Sequence, residues 1–478
     1  MKKLDQFRTR YKGLPKRARH IIGAIARFVP SKFKYGRRYK DCLADITRAR
    51  HDPEFAKEKQ IDLLAMQLKR ASLQSIYFRE AFVRAQLDLS GDISDQIREA
   101  FGRLSIMEKD SVSANWRALH PQSVADFDLV TTSGSSGQPL KFLLDRERSV
   151  IEWAFLNDAW SQIGYTAGAK RALLRGFEIE NVDKQPWEYD AGLRELRLSS
   201  FHLSKHWLPT YVKQIQKKKI SFLHGYPSAL EILARHLVQQ GRSELANTTK
   251  GIILTSEAHY PHQISLYRTA FPKAKIVSFY GLSEKVLFAV SDPTDPFLFW
   301  FNPIYGIAEL INTDGSPITK IGDRGALVGT GLQFRGTPFI RYDTGDVAEL
   351  AVLPSVSNGF RLGVRNITPR RSTEYLVGRD GSLISMSALN IHSAAYTTME
   401  IFVIEQDTPG HAVVKAVVAA GRTEDEVSAF IDEIGRKTGK NLIFTIEIVS
   451  DIPPGPRGKR SWVQQSLDVA AIMEAVGL

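Results

Sequence analysis

The residues best suited to chemistry are Thr131–Lys141, TTSGSSGQPLK. Gly134 and Gly137 can adopt positive φ, which turns successive backbone N–H groups inward around an anion. Thr132, Ser133, Ser135 and Ser136 add hydroxyl donors, and Lys141 adds a compact positive charge. Such a run fits around phosphates; its other reading is a Ser/Gly linker. Spacing excludes the commoner site types. A Walker loop needs Gly-Lys before Ser or Thr, but Gly137 precedes Gln138 and Pro139. No Gly-x-Gly-x-x-Gly occurs, and Gly134-Ser135-Ser136-Gly137 is one residue short of a nucleophile elbow.

Three further stretches carry reactive types. Tyr280-Gly281-Leu282-Ser283-Glu284 follows an apolar run, where an aromatic can stack on a purine and a carboxylate can hold Mg²⁺. A plain strand-end turn is the alternative. Arg341-Tyr342-Asp343-Thr344-Gly345-Asp346 ends another apolar run, and Asp346 is suited to accept both hydroxyls of a ribose. Lys459 lies in the loop Pro453–Arg460, where a lysine is usually just solvated. His202 and His206 are four apart, but no cysteine or acid at suitable spacing makes them a metal pair. His259 and His262 fit a loop or a pocket wall equally well.

The elements that must position these groups read as α/β. From about 130 to 350, short β-rich runs (Gly251–Thr255, Lys275–Phe279, Phe339–Tyr342) alternate with helical ones such as Ala229–Gln240. Residues 52–83 have helical spacing, with Ile61, Leu64, Leu68 and Ala71 on one face. Ala351–Gly363 carries strand and turn signals. A second, shorter pattern follows: strands at Ile401–Ile404 and His411–Ala419, a helix at Asp425–Lys437, and a strand at Ile443–Val449. The expected organisation is a basic arm (1–50), a large α/β domain (51–370) and a small α+β lid (371–478).

The 478 residues carry a net charge of +12, unevenly placed. Residues 1–50 hold 16 Lys/Arg against three Asp, a net of +13, so the remainder is close to neutral. Ile21, Ile22, Ile25, Phe28 and Val29 share one helical side of that arm. Such a helix can rest on an anionic membrane surface or pack on its own domain. A nucleic-acid partner is not expected, because aromatics are not interleaved with the basic residues. No apolar run reaches the ~20 residues of a membrane span. The single Cys42 excludes an internal disulfide framework, so a cytoplasmic protein is expected, peripheral at the inner membrane surface if the arm binds lipid.

Taken in order and spacing, these stretches resemble the adenylate-forming superfamily of acyl-CoA synthetases, peptide-synthetase adenylation domains and luciferases. The shared pattern is the Thr132–Lys141 loop, Tyr280-Gly281-x-Ser283-Glu284, Thr344-Gly345-Asp346 and a Gly-Lys near the C-terminus. Tyr77-Phe78-Arg79-Glu80, His224-Gly225-Tyr226-Pro227-Ser228 and Arg341-Tyr342 resemble the phenylacetate–CoA ligase-like branch, which includes CapK-like capsule-biosynthesis members. The likeness spans roughly residues 55–470.

The resemblance implies ATP as substrate, AMP as product and Mg²⁺ as cofactor. Thr132, Ser133, Gly134, Ser135, Ser136, Gly137 and Lys141 would hold the β- and γ-phosphates. Tyr280, with Gly281, would face the adenine, Ser283 the α-phosphate and Glu284 the Mg²⁺; Asp346 would hold the ribose. Ser256, Glu257 and Ala258 match a segment lining the adenine and acyl pockets. Lys459 would bridge carboxylate and α-phosphate. The hinge departs from the pattern: Arg371 matches the ribose-contacting arginine and Glu374 the hinge acid, with Arg370 where a glycine is usual. Arg379 in Gly378-Arg379-Asp380 is the competing match. The implied activity is adenylation of a small carboxylic acid, then acyl transfer to coenzyme A. An amide- or ester-forming ligase of surface-polysaccharide synthesis is the alternative, and a non-catalytic nucleotide-binding membrane-associated protein is a third reading.

Overall fold

A computed structural model describes residues 31–89, 102–120, 126–131, 140–241, 244–368, 374–389, 398–419, 421–452, 463–469 and 472. Helix α1 (Ser31–His51) is kinked at Gly36, whose φ is 78°. Helix α2 (Pro53–Gln74) follows, capped by the Asp52 carboxylate on the Phe55 amide. The single helix expected over 52–83 is broken at Ser75. That residue is extended, and its hydroxyl caps α3 (Ile76–Arg84) through the Phe78 amide. The break lets Phe78 and Phe82 turn into the core beside Leu64 and Leu68. Residues 31–50, the end of the basic segment, are docked on α4 (Arg148–Ser161). Asn157 donates to the Tyr39 hydroxyl at 2.9 Å, and Arg50 pairs with Asp158.

A two-stranded hairpin, β1 (Phe127–Thr131) and β2 (Lys141–Asp145), precedes a twelve-stranded sheet. In chain order the sheet comprises β3 (Arg171–Arg175), β4 (Trp187–Asp190), β5 (Glu195–Ser199), β6 (Phe222–Gly225), β7 (Gly251–Leu254), β8 (Lys275–Gly281), β9 (Phe288–Ser291), β10 (Phe299–Phe301), β11 (Gly306–Ile311), β12 (Arg324–Gly331), β13 (Tyr342–Val352) and β14 (Gly363–Thr368). Its spatial order is β11-β12-β13-β14-β10-β9-β8-β7-β6-β3-β5-β4. Strands β5, β3, β6, β7 and β8 run parallel; from β8 to β11 every pairing is antiparallel. Strand β8 is therefore where the sheet changes character.

The parallel strands read as near-continuous apolar runs because both faces are covered. Phe222, Ile253 and Val277 face the core under α4. Leu223, Ile252, Leu254 and Ile276 face α5 (Leu208–Lys217), α6 (Pro227–Gln239) and α7 (Pro261–Ala270). The strand expected at Phe339–Tyr342 begins only at Tyr342. Arg341 has φ 48°, and its buried guanidinium is held by Glu309 and by the carbonyls of Gly102 and Leu104, so the chain turns there instead of pairing.

The C-terminal pattern is present as read. After the hairpin β15 (Tyr375–Val377) and β16 (Leu383–Ser385) come β17 (Met399–Thr408), β18 (His411–Val418), α8 (Glu424–Thr438), β19 (Ile443–Ile448) and β20 (Val463–Gln465). The last four strands form a sheet ordered β19-β18-β17-β20, covered by Val427, Phe430 and Ile434 of α8. Its apolar residues are continuous with those of the parallel half. Lys440 N donates to Asp183 at 2.7 Å, and a Cβ on Gly176 would lie 1.6 Å from the Ala388 carbonyl oxygen.

Candidate functional site

In an open α/β sheet, ligands meet the carboxyl ends of the parallel strands. Three of the segments picked out in the sequence sit there. His224–Ser228 leaves β6, Ser256–Ala258 follows β7, and Tyr280–Glu284 closes β8. Two of these turns are strained: Ser256 has φ 66° and Lys285, just past Glu284, has φ 60°. The Lys285 turn is held by the ammonium on Glu152 at 2.6 Å. Glu257 accepts from the Ser228 amide at 3.1 Å, which places its carboxylate on the N-terminus of α6. Burial raises the Glu257 carboxyl above its ordinary range, against hydrogen bonds from Ser385 and Ser228.

The other half of the site comes from β13, four positions from β8 in the sheet order. Four spacings of about 4.8 Å would keep the two strands roughly 19 Å apart in a flat sheet. Instead Tyr280 Oη donates to Asp346 Oδ2 at 2.6 Å, and Tyr342 Oη donates to Glu284 Oε1 at 3.1 Å. The antiparallel half is therefore strongly curled, and two hydroxyl–carboxylate bonds tie β13 to the end of β8.

A bulge aims Asp346. Ala326 faces Val347 and Val328 faces Asp343, so Thr344, Gly345 and Asp346 oppose Leu327 alone. Gly345 takes φ 80°, which a side chain would resist. The Thr344 hydroxyl donates to the Leu327 carbonyl at 2.7 Å and accepts from the Asp346 amide at 3.1 Å. Asp343 accepts from the Gly345 amide at 2.8 Å. A threonine, a glycine and two acids are thus used up in making one corner.

Electrostatically the corner is acidic and tight. Burial lifts the Glu284 carboxyl above its usual value; the Tyr342 hydrogen bond and the charges of Lys109 and Lys285 pull it back only partly. Burial, and then the Asp346 carboxylate, push the Tyr280 phenol well above the ordinary tyrosine range. It stays protonated and can only donate to Asp346.

The phosphate-type loop is the connection of the β1–β2 hairpin, since Thr131 pairs with Lys141. Lys141 is exposed at the first position of β2. That hairpin is pinned from below: Asp145 accepts from Arg335 N and Nε, both at 2.6 Å, and the Leu143 amide donates to Thr337 Oγ1 at 2.8 Å. His120 Nε2 lies 2.6 Å from the same hydroxyl.

Glu284, Tyr280 and Asp346 come together, with Ser283 half-buried and Gly281 exposed in the same turn. Ser256, Glu257 and Ala258 line the neighbouring strand end. Thr132, Ser133, Gly134, Ser135, Ser136, Gly137, Arg371 and Lys459 lie outside the described residues, as does the arm up to residue 30. Arg379, the competing hinge match, sits in the β15–β16 turn, where its amide donates to the Asn441 carbonyl at 2.7 Å. Glu374 accepts from the Val463 amide at 3.1 Å, joining the start of β15 to the start of β20. His259 hydrogen-bonds the Pro296 carbonyl at 2.9 Å and stacks on Phe297. Sequence reasoning missed Tyr342 as the partner of Glu284. Its place four residues before Asp346 was visible, but the curl that brings the two strands together was not.

This architecture is the fold of the adenylate-forming superfamily. A solved structure of 2-hydroxyisobutyryl-CoA ligase, in complex with 2-HIB-AMP and CoA in the thioesterification state, matches with a TM-score of 0.52 at 14% identity, covering 90% of this chain and 94% of that one. The same ligase in the postadenylation state with R3-HIB-AMP matches at TM-score 0.50, 14% identity and the same coverage. Among curated proteins, Protein CapK of Staphylococcus aureus is 24% identical over 370 residues, which is 75% of this chain and 78% of CapK. No family model matches the chain. The likeness carried by the motifs is thus matched by a likeness of fold. Among the described residues no helix is long and apolar enough to cross a membrane.

Proposed function

We propose that the chain is an ATP-dependent, AMP-forming acid ligase that adenylates a small carboxylic acid and passes the acyl group to an acceptor. The observation that carries this reading is the paired corner Tyr280–Asp346 and Tyr342–Glu284, built at the switch from parallel to antiparallel strands. A carboxylate oxygen of the acid attacks the α-phosphorus and pyrophosphate leaves. Two anions must meet, so catalysis here is positioning and charge neutralisation more than proton transfer. Asp346, fixed by Tyr280 and the Thr344 turn, holds the ribose hydroxyls. The Thr132–Lys141 hairpin loop holds the β- and γ-phosphates, Ser283 touches the α-phosphate, and Arg371 adds a ribose contact.

Mg²⁺ fits this donor set. Among the described residues no group of three His, Cys, Asp or Glu could cage a metal. A single protein carboxylate, Glu284, suits a cation that takes its other ligands from phosphates and water. Bound there, Mg²⁺ would neutralise charge on the phosphates. Lys459 supplies positive charge between carboxylate and α-phosphate. Coenzyme A is the acceptor supported by the 2-hydroxyisobutyryl-CoA ligase complex.

The test is acid-dependent exchange of labelled pyrophosphate into ATP across aromatic, fatty, hydroxy and amino acids. Exchange with one acid class is expected, reduced about a hundredfold or more in Lys459→Ala while ATP binding persists. ATP binding with no exchange for any acid would overturn the ligase reading.

A further inference from the structure

The edge of the parallel sheet opposite the candidate site is a row of cations. Gly251 pairs with Lys275, Phe222 with Gly251, Arg171 with Phe222 and Glu195 with Arg171, so these residues share one register line. On or immediately before that line stand Lys275, Lys250, Lys170 and Arg194, and the chain enters β6 through Lys217 and Lys219. Five neighbouring strands at about 4.8 Å make a row roughly 19 Å long. Lys170 and Lys218 are half-buried; the other five cations are exposed.

Little on this edge offsets the charge. Helices α4, α5, α6 and α7 end towards it, each contributing about half a negative charge. Besides Glu195, which pairs with Arg171, the acids here among the described residues are Glu244 and Asp190, which ends β4 and is turned onto the Gly192 and Leu193 amides. Counting Lys218 and Lys273, eight cations face about four negative equivalents. None of the eight makes an ion pair with a described residue. The crowding is felt within the row: Lys170, its Nζ on the Lys218 carbonyl at 2.9 Å, is held below the ordinary lysine range by burial and then by Arg194, Lys219 and Lys218. Outside residues 1–50 the chain is near neutral, so this edge is a true asymmetry.

We infer that the N-terminal edge of the parallel sheet docks on a bilayer surface of anionic phospholipid, with the candidate site turned away from it. The surface is distinct from the 1–50 segment, which carries its own net charge of +13. A nucleic acid fits less well, because among the described residues of the row no aromatic is exposed for bases: Tyr189 lies under Lys218, 4.6 Å from its ammonium. The four residues of β7 put the strand-end turns at least about 13 Å beyond the docked edge, outside the ~8 Å reach of a screened surface charge. Substrate and acceptor can therefore enter from the aqueous side.

The experiment is co-sedimentation of the full chain with phosphatidylcholine vesicles, with and without phosphatidylglycerol. The wild type should bind only the phosphatidylglycerol vesicles and be released by salt. Lys217→Glu/Lys219→Glu/Lys250→Glu, with residues 1–50 intact, should lower partitioning by about a hundredfold or more. The Lys217→Gln/Lys219→Gln/Lys250→Gln set should fall in between. Both sets change exposed side chains, so unchanged circular dichroism melting and unchanged pyrophosphate exchange report an intact fold. The inference is overturned if the charge-reversed chain binds like wild type. It is equally overturned if wild type ignores phosphatidylglycerol vesicles, or binds a single-stranded RNA oligomer under conditions where it ignores them.

Discussion

The parallel and antiparallel halves of the large sheet bring polar groups to the same corner by different means. In the parallel half the strand interiors are mostly apolar, and functional side chains gather at the carboxyl ends: Tyr280 in the last two residues of β8, the others in turns at Ser256 and Lys285 that take positive φ. In the antiparallel half Tyr342 and Asp346 lie within a paired strand. A strand in register would send alternate residues to opposite faces at fixed spacing. The Thr344–Asp346 bulge breaks that spacing, and the curl of β9–β14 carries it to β8. A strand end can present a polar group by stopping; a strand interior must be deformed to do so.

The largest expected effect comes from the parallel side. Glu284→Gln should lower kcat/KM by roughly a hundredfold to a thousandfold, the range for removing one preorganised electrostatic group. Its pH behaviour identifies the cause. Burial raises the folded-state pKa, and Mg²⁺ takes the ionised carboxylate, so Mg²⁺ dependence should strengthen as pH rises through that raised value. The Gln variant should show a flat Mg²⁺ profile. Stability without Mg²⁺ moves the opposite way: the folded chain holds this proton more tightly, so Glu284's contribution is full below its unfolded value and is lost as pH rises through the folded one. A wild-type melting temperature that rises across that window, relative to Gln, would reject the assignment.

On the antiparallel side the comparison is broken at the bulge. Gly345→Ala forces a Cβ into a left-handed residue and should cost about 1–2 kcal/mol of stability. It should also raise KM for ATP about tenfold, since Asp346 is re-aimed, the figure corresponding to roughly 1.4 kcal/mol. Gly322→Ala is the matched control. Gly322 has φ 91° with nothing within 4 Å of its Cβ position, so it should lose similar stability and leave KM alone. Equal KM for the two variants would mean that the bulge does not position the ribose contact.

Much of the parallel half was legible in the sequence. Runs such as GIIL and KIVSF are strands in any α/β context, and the helix at 227–239 and the C-terminal strand–strand–helix–strand series lie close to where periodicity puts them. Tyr280, Glu284 and Asp346 were singled out too, through the order and spacing of their stretches rather than any one stretch alone. What lay beyond reach was non-local. The β-rich run Phe339–Tyr342 suggests a strand, yet Arg341 is claimed by Glu309 and two distant carbonyls. The break at Ser75 depends on its hydroxyl reaching the Ala118 carbonyl at 3.0 Å, 43 residues on. Tyr342 became the partner of Glu284 only through the curl of three intervening strands.

The smallest effect sharpens the comparison from the parallel side. If the turn after β7 is bent to place Glu257 on the N-terminus of α6, its strain sits in one residue, Ser256, at φ 66°. A left-handed non-glycine residue costs about 1–2 kcal/mol, and glycine there gives back part of the gain through its greater unfolded-state entropy. Ser256→Gly should therefore raise stability by up to about 1 kcal/mol in thermal or urea unfolding. The Ser256 hydroxyl lies 3.2 Å from that of Thr255, a partly buried contact whose loss offsets some of that gain. A gain in stability with unchanged pyrophosphate exchange would mean that the turn's shape is imposed by β7 and α6. A gain accompanied by weaker acid dependence would mean instead that Ser256 holds Glu257 in place for the substrate. The strand end and the bulge would then share one logic, with strain kept where a side chain must be aimed.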